Sequence, residues 1–182
     1  MTLVIGHSWV RRLADLSLEE WSEFKFIGEG GATFVSMTKE VVKYFSNPRH
    51  PIPQRVFVFL GSNDLDAISS TAEVIQVTQN WEALGRALRR FCIGASLIFS
   101  QVEDRFYKNH LEDPAAIKLD FRAKSNKFNK WLNKWQGKNG IFILKGRLGF
   151  SDPRWYGRDG GHLNYYGNVK LAERLADYHE RV

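Results

Sequence analysis

Ser8, Asn63, Asp159 and His162 are the residues of this chain whose types and settings permit covalent chemistry. Ser8 closes Gly6-His7-Ser8, directly after the apolar run Thr2-Leu3-Val4-Ile5. A serine placed where a buried strand turns into a helix holds its hydroxyl at the rim of a sheet, beside free helix N–H groups. That setting suits a nucleophile and equally a helix cap, because glycine and serine are what any such turn prefers. Asp159 precedes His162 by three residues across Gly160-Gly161. The turn lets a carboxylate fold back on an imidazole and fix its tautomer, so that His162 can act as general base toward Ser8. A plain turn leading into a helix has the same spacing. Acyl transfer also needs donors aimed at a developing oxyanion. Candidates are the Ser8 backbone N–H, an N–H of the loop Gly28-Glu29-Gly30-Gly31, and the Asn63 carboxamide, although Gly61-Ser62-Asn63-Asp64 is also ordinary turn chemistry.

The elements that must position these groups are legible as alternating patterns. Apolar runs predict strands at Thr2–Ile5, Phe24–Ile27, Arg55–Leu60, Ser96–Val102 and Ile141–Leu144. Arg55–Leu60 is nearly continuously apolar, which suits a central parallel strand covered on both faces. Helical spacing predicts helices over Trp9–Leu16, Phe34–Phe45, roughly Thr71–Phe91 and Ala115–Gln136, and a last one capped by Asn164 with Val169, Ala172, Leu175 and Ala176 inward. Strands alternating with helices mean an α/β, doubly wound, five-stranded parallel sheet with helices on both faces. No repeat or linker interrupts it, so 1–182 reads as a single domain. Ligands of such sheets bind beyond the carboxyl ends of the strands. Ser8, the glycine loop, Asn63 and the long loop Gly146 to Leu163 all fall at that edge.

The chain of 182 residues is 43% hydrophobic and 25% charged, ordinary for a soluble domain, and holds no apolar run long enough to span a membrane. Its first strand begins almost at Met1, leaving no room for a signal peptide. The expectation is therefore an intracellular, cytoplasmic chain or a domain of a larger protein. The lone Cys92, set among apolar residues, excludes an intramolecular disulfide and reads as a buried thiol. A net charge of +6 permits attraction to nucleic acid or an anionic membrane without naming either. The segment Arg122 to Lys138 sets Lys127, Lys130, Lys134 and Lys138 against Phe121, Phe128, Trp131, Leu132 and Trp135. An amphipathic helix with its lysines in water accounts for that; phosphate contact is the alternative. Around the reactive loops, Trp9, Phe150, Trp155 and Tyr156 can wall a substrate pocket. Arg105 can meet an anionic part of a substrate, its ordinary use being an ion pair with Glu103 or Asp104.

Gly6-His7-Ser8, Gly31-Ala32-Thr33, Gly61-Ser62-Asn63-Asp64 and Asp159-Gly160-Gly161-His162-Leu163-Asn164 resemble, in order, the blocks of the SGNH or GDSL-type hydrolase superfamily. The resemblance spans nearly the whole chain. It implies a serine esterase of flavodoxin-like three-layer fold, with Ser8 as nucleophile, Asp159 and His162 completing a triad, and Ser8, Gly31 and Asn63 forming the oxyanion hole. Gly31 is chosen over Gly30 because Gly31-Ala32-Thr33 matches the family's Gly-x-Thr. The implied substrates are carboxylic esters, of a lipid, an acetylated sugar or a small alcohol, with no cofactor. A metal reading of His7 and His162 lacks a Cys or His pair at ligand spacing, and His50, His110 and His179 do not supply one. His7 departs from the family's aspartate; it is either a second imidazole near the site or, as the favoured expectation, a surface residue without a role. A narrower similarity, carried by Gly-His-Ser-x-Val-Arg-Arg-Leu, Gly-Ser-Asn-Asp-Leu and Asp-Gly-x-His-Leu-Asn, is to SGNH domains encoded in eukaryotic retroelements. It implies a module of a larger protein working near nucleic acid or membrane, catalytically weak or inactive in the alternative case.

Overall fold

The computed structural model describes residues 1–16, 19–103, 105, 113–144, 150 and 152–181. Asp104, His110 and the start of the loop at Gly146 lie outside them. The strands are β1 (Thr2–Gly6), β2 (Phe24–Gly28), β3 (Arg55–Phe59), β4 (Ser96–Ser100) and β5 (Ile141–Leu144). The helices are α1 (Ser8–Ala14), α2 (Phe34–Phe45), α3 (Ser62–Ala67), α4 (Val74–Phe91), α5 (Pro114–Leu132) and α6 (Tyr165–Arg181). The five strands pair in the order β2-β1-β3-β4-β5, all parallel. Gly6 pairs in register with Gly28 on one side and Phe59 on the other, so β1, β2 and β3 end level. In this strand order the connections leave in opposite directions on either side of β1 and β3, and that switch point opens a crevice at the carboxyl edge. The segments after β1 and β3 begin with Gly6-His7-Ser8 and Gly61-Ser62-Asn63.

Side-chain alternation divides the core between the two faces of the sheet. Leu3, Ile5, Val56, Val58, Leu97 and Phe99 pack with α2, α4 and α5 residues such as Met37, Trp81, Leu84 and Phe128. Val4, Phe57, Phe59 and Ile98 pack with Val10 and Leu13 of α1 and Leu171, Ala172 and Leu175 of α6. Burial on both faces is why β1 and β3 read as unbroken apolar runs rather than as alternating ones.

Several expectations shift by a turn. α5 ends at Leu132 and continues as a 3-10 turn, Asn133–Trp135, and α4 is preceded by a 3-10 turn at Thr71–Glu73. Gly61-Ser62-Asn63-Asp64, read as a turn, opens the helix α3. In α6, Val169 is half-buried and Leu171 takes the core position. Lys124 is buried, donating to Ile68 O at 2.7 Å, and Lys127 donates to Thr71 O at 2.7 Å, so part of the basic character of α5 ties it to the segment between α3 and α4. Cys92 is buried as expected, and burial pushes its thiol up to about 12. Among the described residues no helix is long and apolar enough to cross a membrane.

Candidate active site

The loop after β1 turns without room for a side chain at Gly6. A Cβ there would stand 2.5 Å from Phe59 O and 2.7 Å from Val10 Cγ2, so α1 can start directly over the end of β3 only from glycine. His7 N–H donates to Phe59 O at 3.2 Å and Glu29 N–H to Gly6 O at 3.1 Å, tying the turn to both neighbouring strands. The helix cap is His7, not Ser8: its Nδ1 accepts from the Trp9 N–H at 3.4 Å, and Ser8 is the first helical residue. Ser8 is buried, and its own N–H, at the first position of α1, is one of the donors a helix leaves without an intrahelical partner.

His7 is also not a surface residue, being 8% exposed. Its ring lies edge-on to Trp9 with centroids 5.2 Å apart. Burial, the Arg105 cation and the neighbouring His162 push its pKa down to about 3, so the imidazole is neutral at pH 7. Because Nδ1 accepts, the ring proton sits on Nε2. An unfolded chain protonates this histidine near its ordinary 6.5, whereas the folded chain resists down to about 3. His7 therefore supports folding fully above pH 6.5 and withdraws that support as the pH falls toward 3. Replacement by glutamine is expected to flatten this part of the acid limb in urea unfolding measured from pH 7 to pH 4.

Asp159 folds back on its own turn. Its Oδ1 accepts from the N–H groups of Gly161 and His162, both at 3.0 Å, and its Oδ2 meets His162 Nδ1. Partial burial works against the charged carboxylate, but the His162 backbone and side-chain bonds, the Gly161 bond and the His162 charge outweigh it and hold Asp159 near 2. With Nδ1–H committed to the carboxylate, His162 presents Nε2 as its free lone pair, which is the tautomer a general base requires.

The rest of the chain fixes where that loop stands. Gly157 N–H donates to His162 O at 2.7 Å, and Tyr156 forms an isolated antiparallel bridge with Leu163. Trp9 Nε1 donates to Gly161 O at 3.3 Å and Arg12 Nη1 to Leu163 O at 2.9 Å. α1 thus carries Ser8 on one residue and grips the His162 loop through residues on either side of it. Asn164 caps α6 as expected, accepting from Gly167 N–H at 2.9 Å, while its amide holds Arg154 O at 2.7 Å. Among the described residues no hydrogen bond joins Ser8 to His162.

Two of the oxyanion candidates, the Gly31 loop and Asn63, are joined to each other by a hydrogen bond from Asn63 to Ala32 O. Gly31 has φ +75, a conformation that favours glycine, and a Cβ there would touch nothing within 4 Å, so its surroundings are open. Thr33 and Ser36 then exchange the two bonds of a capping box that starts α2. Asn63 Nδ2 donates to Ala32 O at 2.9 Å, bringing its carboxamide against the Gly31 loop, and its Oδ1 accepts from Arg105 Nη2 at 2.8 Å. Arg105 also forms an ion pair with Asp66, rather than serving only the pairings expected of it; Asp104 lies outside the described residues.

Asp64 was not singled out from sequence. Its buried carboxylate accepts from Phe34 N–H through both oxygens, at 3.1 and 3.2 Å, binding α3 to the start of α2. Burial raises it to about 6 against those bonds. The available signal was an acid set directly after an apolar strand, where a charge has to find donors.

A small cleft lies at this edge, lined by His7, Trp9, Ser62, Ser100, Arg105 and Gly161 among others, while Ser8, Gly31, Asn63, Asp159 and His162 are not among its lining residues. Of the residues named for a substrate pocket, Trp9 and Arg105 line this cleft. Trp155 instead lines a separate groove beside α6 with Tyr166 and Lys170, whose Nζ lies 4.1 Å from its ring centroid. Tyr156 is buried in the core against Trp9, with centroids 6.3 Å apart. Phe150 is likewise core, 5.6 Å from Trp9.

No protein-family model and no curated protein matches the sequence. Solved structures match over essentially the full chain. A member of the lipolytic protein G-D-S-L family from Veillonella parvula aligns at TM-score 0.68 and 16% identity, covering 100% of this chain and 98% of that one. A GDSL-like lipase from Bacteroides thetaiotaomicron aligns at TM-score 0.67 and 17% identity, covering 96% and 86%. A carbohydrate esterase family 3 structure from Talaromyces cellulolyticus aligns at TM-score 0.65 and 12% identity, covering 100% and 98%. The chain has the α/β fold of the SGNH and GDSL-type lipolytic and esterase structures, along its whole length.

Proposed function

We propose that the protein is a serine esterase of the SGNH type, hydrolysing carboxylic esters through an acyl-enzyme. The observation that carries the reading is the Asp159–His162 pair, held by α1 contacts at the sheet edge where α1 also begins with Ser8. Ser8 Oγ attacks the ester carbonyl while His162 Nε2 takes its proton. Asp159 keeps the proton on Nδ1 and stabilises the imidazolium. The tetrahedral oxyanion takes hydrogen bonds from the N–H groups of Ser8 and Gly31 and from Asn63 Nδ2. His162 then protonates the departing alcohol, and water, deprotonated by the same imidazole, releases the acid and regenerates Ser8.

The fold's occurrence in lipases and a carbohydrate esterase is consistent with ester substrates. The purified protein is expected to cleave a short-chain nitrophenyl ester, and Asn63→Ala to lower kcat about 10²–10³-fold with KM little changed. A loss below tenfold would remove Asn63 from the oxyanion hole.

A further inference from the structure

Asn63 and Asp66 lie three residues apart on α3, on one face of its single turn and a half, and one guanidinium spans both. Arg105 Nη2 donates to Asn63 Oδ1 at 2.8 Å while Nη1 pairs with Asp66. Its side chain is 17% exposed, and the guanidinium carbon lies 5.5 Å from the Phe121 ring centroid. At its other end the Asn63 carboxamide donates to Ala32 O at 2.9 Å. A flipped carboxamide would set its N–H₂ against the guanidinium, donor to donor, and its oxygen against the Ala32 carbonyl, acceptor to acceptor. The amide is thus locked in one orientation, with one N–H given to Ala32 O.

We propose that Arg105 is a positioning residue for the oxyanion hole: it holds the Asn63 carboxamide so that its second N–H faces the oxyanion, and does not itself bind substrate. This rests on the serine-esterase reading given above. A charge-assisted bond to Oδ1 also polarises the amide and makes its N–H groups better donors, an effect realised most when negative charge develops on the substrate oxygen. Asp66 keeps the guanidinium in place and balances its charge. The effect of losing Arg105 should therefore fall on kcat and pass through Asn63.

The test is a double-mutant cycle on hydrolysis of nitrophenyl acetate, comparing wild type, Arg105→Ala, Asn63→Ala and the double variant, with thermal unfolding of each. Arg105→Ala is expected to lower kcat about tenfold or more in the wild-type background. In the Asn63→Ala background it should change kcat less than twofold, because the group it orients is gone. KM should stay within about threefold, and Arg105→Lys, which carries the charge but not the fork, should recover part of the loss. Should Arg105→Ala not fold, Arg105→Lys and Arg105→Gln take its place in the same cycle. Multiplying losses in the double variant, or a raised KM with kcat intact, overturns the proposal while leaving an active esterase. A wild type inert toward esters removes the reading beneath it and the proposal together.

Discussion

Ser8→Ala is expected to lower kcat for ester hydrolysis by about 10⁵–10⁶-fold, to the level the oxyanion donors and substrate binding can sustain without a nucleophile. The substitution removes one oxygen from the first residue of α1 and leaves the helix cap intact, because His7 and not Ser8 makes that bond. Ser8 is buried where Gly6 lets the turn press against Phe59, and alanine fits the same backbone. Folding should therefore be retained, with a circular dichroism spectrum and unfolding midpoint close to wild type. A loss of activity accompanied by a collapsed midpoint would instead report a structural role for the hydroxyl.

Asp159→Asn is the second large effect, about 10⁴-fold in kcat. Asparagine can keep the backbone bonds that Asp159 Oδ1 accepts from Gly161 and His162, so the turn should survive. What changes is the partner of His162 Nδ1. With the amide oxygen kept on those two N–H groups, the amide N–H₂ faces the ring and forces the proton to Nε2, where a base needs a lone pair. In wild type the carboxylate, held near 2, stays ionised throughout the working range. The variant's loss should thus persist across pH 6–9 in kcat measurements. Recovery to wild-type rates at high pH would mean that Asp159 acts only through the ionisation of His162 and not through its tautomer.

The parts of this site that sequence made legible are those whose chemistry restricts residue type. The chain has only five histidines, and the Asp159–His162 spacing that stands out among them is a pair the structure joins. The sheet followed for the same reason: β1 and β3 are apolar on both faces because both faces are covered. What stayed hidden depends on distance in the chain. Nothing adjacent to Arg105 announces Asp66 or Asn63 as partners, since α3 is brought to it only by the packing of the crossover. Asp64 looked like turn chemistry, yet its bond to Phe34 spans 30 positions. His7 was misread because Gly-x-Ser invites attention to serine as the cap, whereas the backbone at His7 is extended and leads into the helix, which puts the cap one residue earlier. Its burial follows from the tight seat of α1, a consequence of Gly6 that no pattern in the chain displays. The narrower likeness to retroelement domains draws nothing from the fold, which bacterial and fungal esterase structures share.

Activation of Ser8 as a nucleophile can be tested without knowing the substrate. A fluorophosphonate probe reacts with a serine hydroxyl only where a base removes its proton and an oxyanion hole receives the phosphoryl oxygen. Incubation of the purified protein followed by peptide mass spectrometry is expected to place a single adduct on Ser8, absent in Ser8→Ala and strongly slowed in His162→Ala. An unlabelled protein, or a label on another residue that persists in Ser8→Ala, would contradict the account.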